Sequence, residues 1–454
     1  MGSRGLGVLL AAAIGLAGLA GAPRAGAETL ADTLALAYRN SNILDQNRAV
    51  LRAADEDVAD AVSILRPVIA WVADGDYVST RFTDGFSASL ALTAQLVLYD
   101  FGRTRTAIDI AKESVLATRQ ALVGAEQDIL LQAVQAYFDL RGAIERVAIN
   151  ENSVRVNDET LRATRDQAEF GVVTRTDVAL AEAELASARA GLAAAEGDLA
   201  SAREAYRLAV GQFPGTLAPA PRAPALPATV DAAQAVAQRN HPAIRQAQHE
   251  VTVADLQVAL AVANRRPSLN GTASVEANDD GSENASIGIR LSQTIYQGGA
   301  LASFQRKAIA GRDGSRAALL QTARGIAQGV GNAWSAIAVA RAQISAIDEQ
   351  VVAAEIGFNG VREEALLGAR TSIDVLTAEQ NLLDARAAKI DAEANLQVAI
   401  YSLLASMGLL TVDHLNLGVP VYDPAAYYEA VRKGPATSVQ GESLDRVLRA
   451  IGGN

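Results

Sequence analysis

The chain has 454 residues, a formal charge of −11 at pH 7 and no cysteine. The charge disfavours nucleic acid as a partner, which calls for a basic face. The missing cysteines exclude disulfides, thiolate metal sites and cysteine nucleophiles. Length alone suggests about three domains, but the prolines argue against three compact units. None falls within 68–213 or 268–419, so two very long segments are free of the strongest helix breaker.

Residues 1–27 read as a secretory signal peptide: Arg4 supplies a short positive region, Val8–Ala22 is apolar, and Ala25-Gly26-Ala27 offers a cleavage site before Glu28. No later run is apolar for the ~18 residues of a membrane helix. If the chain enters a membrane, it does so as strands of a closed barrel, because lipid tolerates no open sheet edge.

The rest reads as two copies of one plan. The first repeat, 28–212, carries a β-hairpin at about 68–100 and long helices over 102–170 and 174–210. A Pro-rich linker, 213–228, leads to the second repeat, 229–410, with a hairpin at about 268–296 and helices over 299–367 and 371–408. A C-terminal segment, 411–454, follows. "LYDFGR" at Leu98–Arg103 returns as "IYQGGA" at Ile295–Ala300, which sets Gly102 and Gly299 at equivalent strand-to-helix turns. "GVVTRTDVALAEAEL" at Gly171–Leu185 returns as "GARTSIDVLTAEQNL" at Gly368–Leu382, which makes Gly171 and Gly368 the helix-to-helix turns and repeats Asp177 as Asp374.

Within each hairpin the period is two. In Phe86–Asp100, Phe86, Ala88, Leu90, Leu92, Ala94, Leu96 and Leu98 oppose Ser87, Ser89, Thr93 and Gln95. Trp71, Tyr77, Phe82, Phe86, Tyr99 and Tyr296 lie towards strand ends, as an interfacial girdle requires. The competing reading is a soluble sheet packed on the helices. Four strands cannot close a membrane barrel, which needs at least about eight, so the barrel reading demands an oligomer. From Val178 the period becomes seven: Val178, Leu185, Leu192, Leu199 and Tyr206, with alanine three positions after each of the first four. Val375, Leu382, Leu396 and Leu403 repeat the series with Lys389 breaking it.

Asp177 and Asp374 follow Thr174 and Thr371 in a T-x-x-D arrangement, an aspartate form of the capping box. A catalytic role lacks partners. His241, His249 and His414 are scattered, and no nucleophile-elbow, zinc-hydrolase or phosphate-loop motif occurs.

The signal peptide, the two halves, the order strand–"YDFG/YQGG"–long helix, and the G-x-x-T-x-x-D-V opening of the next helix together resemble the TolC family of trimeric outer-membrane exit ducts over essentially the whole mature chain. The resemblance implies an α+β membrane protein, internally duplicated. Three chains would share a transmembrane β-barrel and a long coiled-coil α-helical barrel crossing the periplasm. It implies a homotrimer in outer-membrane lipid, an inner-membrane transporter, ABC or proton-driven, and a periplasmic adaptor protein as partners. It implies no cofactor, no nucleic acid and no chemistry of its own. The cargo, drugs or unfolded proteins, stays open. The family's periplasmic gate maps onto Asp374, Asp177 and Arg370, with multivalent cations as blockers at Asp374. Thr377 stands where the archetype has a second acid, and Ala365 where it has a linking tyrosine. Rings of acids make cation-selective constrictions, and close like charges raise one another's pKa. Arg175 and Arg370 are rival partners for Asp177. A non-conducting periplasmic coiled-coil tether is the alternative, and it leaves the paired hairpins without a purpose.

Overall fold

The computed structural model describes residues 27–81 and 84–432. The expected signal peptide apart from Ala27, the girdle residue Phe82, and the tail beyond Arg432 lie outside the described residues. The first half runs α1 (Leu30–Asn40), α2 (Asn42–Ser63), β1 (Val68–Ser79), β2 (Asp84–Tyr99), α3 (Arg103–Glu169) and α4 (Arg175–Val210). The second repeats that order as α5 (Val230–Asn240), α6 (Pro242–Ala263), β3 (Ser268–Asn278), β4 (Glu283–Ser292), α7 (Ala300–Leu366) and α8 (Ser372–Ser406). A short α9 (Pro424–Val431) follows. Helices α3 and α7 have 67 residues each, which at about 1.5 Å per residue spans roughly 100 Å.

Each long helix begins after two residues in the left-handed region. These are Phe101 and Gly102 in the first half, and Gly298 and Gly299 in the second. The first turn adds a side-chain cap: Gly102 N–H donates to Asp100 Oδ1 at 3.1 Å and Thr104 N–H to Asp100 Oδ2 at 2.7 Å. The second half has Gln297 and Leu301 at those places. It has glycine where the first half holds Phe101 in a conformation that L-residues avoid.

The main core is an equatorial belt rather than a central globule. Leu34 of α1, Leu130 and Tyr137 of α3, Tyr206 of α4, Leu403 of α8 and Met407 meet there, all at most 2% exposed. Burying such side chains contributes roughly 1.5–3 kcal/mol each. The belt also gathers the chain's irregular segments. The Tyr206 hydroxyl donates to Glu28 Oε1 at 2.6 Å, the Gly215 N–H to Glu28 Oε2 at 2.9 Å, and the Tyr137 hydroxyl to the Ala218 carbonyl at 2.8 Å. The linker is thereby strapped across α3 and α4. At the other end of the chain, Tyr427 of α9 donates to Glu56 Oε1 of α2 at 2.6 Å.

Away from the belt, each half forms a helical hairpin. Leu161 of α3 packs with Ala181 and Leu185 of α4, and Phe358 of α7 packs with Val375 and Leu382 of α8. Ala181, Leu185, Val375 and Leu382 are heptad positions, so on α4 and α8 the periodicity names the seam. Lys389, which interrupts the series, turns aside to Asp348 Oδ1 of α7 at 2.7 Å.

All four strands join one antiparallel sheet in the order β1-β2-β3-β4. Its register puts Ile69, Trp71, Ala73 and Tyr77 opposite Ala94, Leu92, Leu90 and Phe86, so the apolar side chains share a face. The sheet packs substantially on no helix. Trp71 is 71% exposed, Ile287 90% and Leu291 66%, which rules out the soluble-sheet reading. Among the described residues no helix is long and apolar enough to cross a membrane. One boundary shifts: the second hairpin ends at Ser292 and not near 296, because Ser292 opposite Ser268 exhausts the partners β3 offers. Strand β2 reaches Tyr99 because β3 continues to pair with it there.

The ends of α4 and α8 explain two glycines. Gly211 has φ 87°, and a Cβ there would lie 2.6 Å from Asn40 Cβ. Gly408 has φ 76°, and a Cβ would lie 2.7 Å from His241 Cα. Each glycine tucks a helix end against the turn between its own half's two short helices. Gly408→Ala combines a strained φ with a backbone clash and should cost upwards of about 2 kcal/mol. The expected readout is a lowered thermal unfolding midpoint in detergent.

Candidate functional site

The end of the molecule remote from the sheet is built by the α3–α4 and α7–α8 turns, and the two are near copies. In the first, the Gly171 N–H donates to the Ala168 carbonyl at 3.0 Å and the Val172 N–H to the Gln167 carbonyl at 2.9 Å. In the second, the Gly368 N–H donates to Ala365 and the Ala369 N–H to Glu364 at the same two distances. Gly171 and Gly368 have φ of 71° and 76°, the left-handed residue that closes a helix C-terminus.

Both turns then open the next helix with a complete capping box. Thr174 N–H and Oγ1–H donate to Asp177 Oδ2, each at 2.8 Å, and Asp177 N–H returns a bond to Thr174 Oγ1 at 3.3 Å. Thr371 and Asp374 repeat this at 3.0, 2.8 and 3.4 Å. Accepting the threonine backbone N–H holds each carboxyl below the usual range, with the hydroxyl adding to it. The Arg370 charge helps at Asp374. Both aspartates are therefore ionised throughout the neutral range. The mutual repulsion expected of a ring acts in the opposite direction and needs further copies of the chain.

Within one chain no ion pair joins Asp177 to either expected arginine. Arg370 Nε donates instead to Glu364 Oε2 at 2.9 Å, back across the turn. Glu364 is a partner that the sequence reading missed. It precedes the turn, and only the tight α7–α8 reversal brings it beside Arg370. Thr377, in the place of the second acid, folds its hydroxyl onto the Ile373 carbonyl at 2.8 Å.

Two further features escaped the sequence. Phe170, Val172, Leu366 and Leu367 are exposed around the turns, and the signal was apolar residues beside turn glycines. Glu379, one position past heptad residue Ala378, is buried. Asn157 of α3 donates its Nδ2–H to Glu379 Oε2 at 3.3 Å. A charged residue flanking an apolar seam ordinarily reads as a solvated face, so only packing reveals this one. Among the described residues no cluster of histidine, aspartate and glutamate could hold a metal ion.

Removing the cap hydroxyl should loosen the first turn of α8 locally. For Thr371→Val we expect amide exchange there to quicken about five- to tenfold, with α4 unaffected, as read by hydrogen exchange with mass spectrometry.

The model of the outer membrane efflux protein family matches residues 33–212 and 234–409, two spans that follow the two structural halves. The chain is 34% identical over 433 residues to outer membrane efflux protein BepC of Brucella suis biovar 1, covering 93% of this chain and 95% of that protein. It is 24% identical over 425 residues to outer membrane protein TolC of Escherichia coli, covering 86% and 84%. Among solved structures, CusC superposes with a TM-score of 0.74 at 20% identity over 84% of this chain and 92% of that one. The family match follows both halves of the chain, and this chain belongs to the outer membrane efflux protein family of TolC-type channels.

Proposed function

We propose that this protein is the outer-membrane exit duct of a tripartite efflux or type I secretion system. It passes small molecules or unfolded proteins across the periplasm and outer membrane without chemistry of its own. The observation that carries the reading is the four-stranded sheet with an uncovered apolar face and open edges at β1 and β4. Three such sheets joined edge to edge close a barrel of three times four strands, above the roughly eight that a membrane barrel needs. Closure pairs the open edges, and the apolar face meets lipid. The long helices of three chains then enclose a tunnel of roughly 100 Å. An inner-membrane transporter supplies the energy and a periplasmic adaptor protein joins it to the duct. A non-conducting tether would leave the sheet unused.

At the tunnel's periplasmic end, Asp374 and Asp177 from three chains form two rings of three carboxylates. Their support is the capping geometry, which fixes each carboxylate at a helix start and keeps it ionised. Such rings favour cations and bind multivalent ones. Arg370, held by Glu364 in the single chain, is the residue that exchanges partners when neighbouring chains close on one another. Thr377 leaves the inner ring weaker than a double acid ring.

Fractionation tests the duct: the protein is expected in outer membranes and as a trimer in mild detergent. A soluble periplasmic monomer would refute it. Planar bilayers test the ring: Asp374→Asn is expected to abolish block by multivalent cations, and unchanged block would count against it. Arg370→Ser is expected to increase cell leakiness to bulky antibiotics, as read by their inhibitory concentrations.

A further inference from the structure

The seam between the two helical hairpins carries polar links in addition to apolar packing. Inside each hairpin the seam is apolar, with Leu161, Ala181 and Leu185 in one and Phe358, Val375 and Leu382 in the other. Between the hairpins, where α3 lies against α8, Val156 of α3 packs on the apolar cluster of α7 and α8, and polar links appear beside that contact. Arg146 of α3 pairs with Asp391 of α8. Closer to the turns, Asn157 of α3 meets Glu379 of α8, and both are buried. An apolar seam resists any shear, since shear opens voids. A polar link has two states, made or broken, and Glu379 has two protonation states as well.

We propose that Glu379 is a proton-operated latch between the two hairpins. When protonated it fastens α8 to α3 and keeps the periplasmic end closed, and when ionised it releases α8. The proposal rests on the duct reading above.

The surroundings of Glu379 favour the neutral acid. From α3 it is faced by the neutral groups Asn157 and Ser153, whose hydrogen bonds to the carboxyl work the other way, towards the ionised form; Asn157 also donates to the Ser153 carbonyl at 3.0 Å. From α4 the charge that acts on it is Glu184, a like charge. The neighbouring charges of these helices are otherwise engaged. Arg155 pairs with Glu159, Arg162 with Asp158, Arg165 of α3 with Glu182 of α4, and Arg386 of α8 with Glu355 of α7. Burial therefore lifts the Glu379 carboxyl to about 7, against the smaller opposing effect of the Ser153 hydrogen bond. In an opened state, with the side chain in water, it returns towards the ordinary glutamate value of about 4.3. The closed state thus binds the extra proton. Closure is fully favoured below about pH 4.3. It weakens as pH rises towards about 7 and is weakest above that.

The test is open probability of the purified protein in planar bilayers across the span from acidic to mildly alkaline pH. The wild type is expected to open more as pH rises, by up to about tenfold per pH unit for each proton released, levelling off above about 7. Glu379→Gln keeps an uncharged side chain of the same shape and is expected to stay at the low, acidic-pH level throughout. Asn157→Asp adds a like charge and is expected to move the midpoint to higher pH. The control is Asp55→Asn. Asp55 is a buried carboxyl raised to about 6 by burial, and it lies beside Arg119, 38 residues nearer the start of α3 than Asn157 (119 to 157). That is about 57 Å along the helix, and the control should leave the profile unchanged. A flat wild-type profile, or a rise that survives Glu379→Gln, would overturn the latch. A protein that conducts at no pH would overturn the duct itself.

Discussion

The uncovered apolar face of the four-stranded sheet is the constraint from which the rest of this structure follows. A sheet buries its apolar side against another layer or exposes it to lipid. Here the chain supplies no second layer: no helix packs substantially on the sheet, and Trp71, Ile287 and Leu291 remain open. In lipid the open edges must also be paired. One chain contributes four strands, so both demands are met together only when copies of the chain close a ring. Ring closure then requires long helices that pack side by side around an axis.

Those helices could not stand alone, since a single long helix gains little from propensity and needs a partner along its length. The structure divides the task. The belt of Leu130, Tyr137, Tyr206, Leu403 and Met407 knits both halves, the linker and the chain's start into one rigid waist. Below it the two hairpins hold themselves together by apolar seams and meet one another through Val156 and the polar links of Arg146 with Asp391 and Asn157 with Glu379.

The twin turns show one residue serving two ends. As capping acids, Asp177 and Asp374 satisfy first-turn N–H groups and meet the positive end of the helix dipole. The same bonds hold the carboxylates ionised and fixed in direction. The capping role and the proposed ring role therefore do not compete.

Much of this was legible from the sequence because it is local or periodic. The Pro-free spans, the sevenfold Leu/Ala series, the alternation in Phe86–Asp100 and the T-x-x-D signatures report backbone geometry within a few residues, and the repeat of Gly171–Leu185 at Gly368–Leu382 exposes the duplication. What only the tertiary structure decided is non-local. The end of β4 at Ser292 depends on where β3 begins. Lys389 breaks the heptad by position yet is accommodated by Asp348 on another helix. Arg370 turns to Glu364 because a tight reversal brings them together, and Glu379 is buried only because α3 lies across α8. In each case the residue's role is set by what a distant segment places beside it, and periodicity along one helix carries no record of its neighbours.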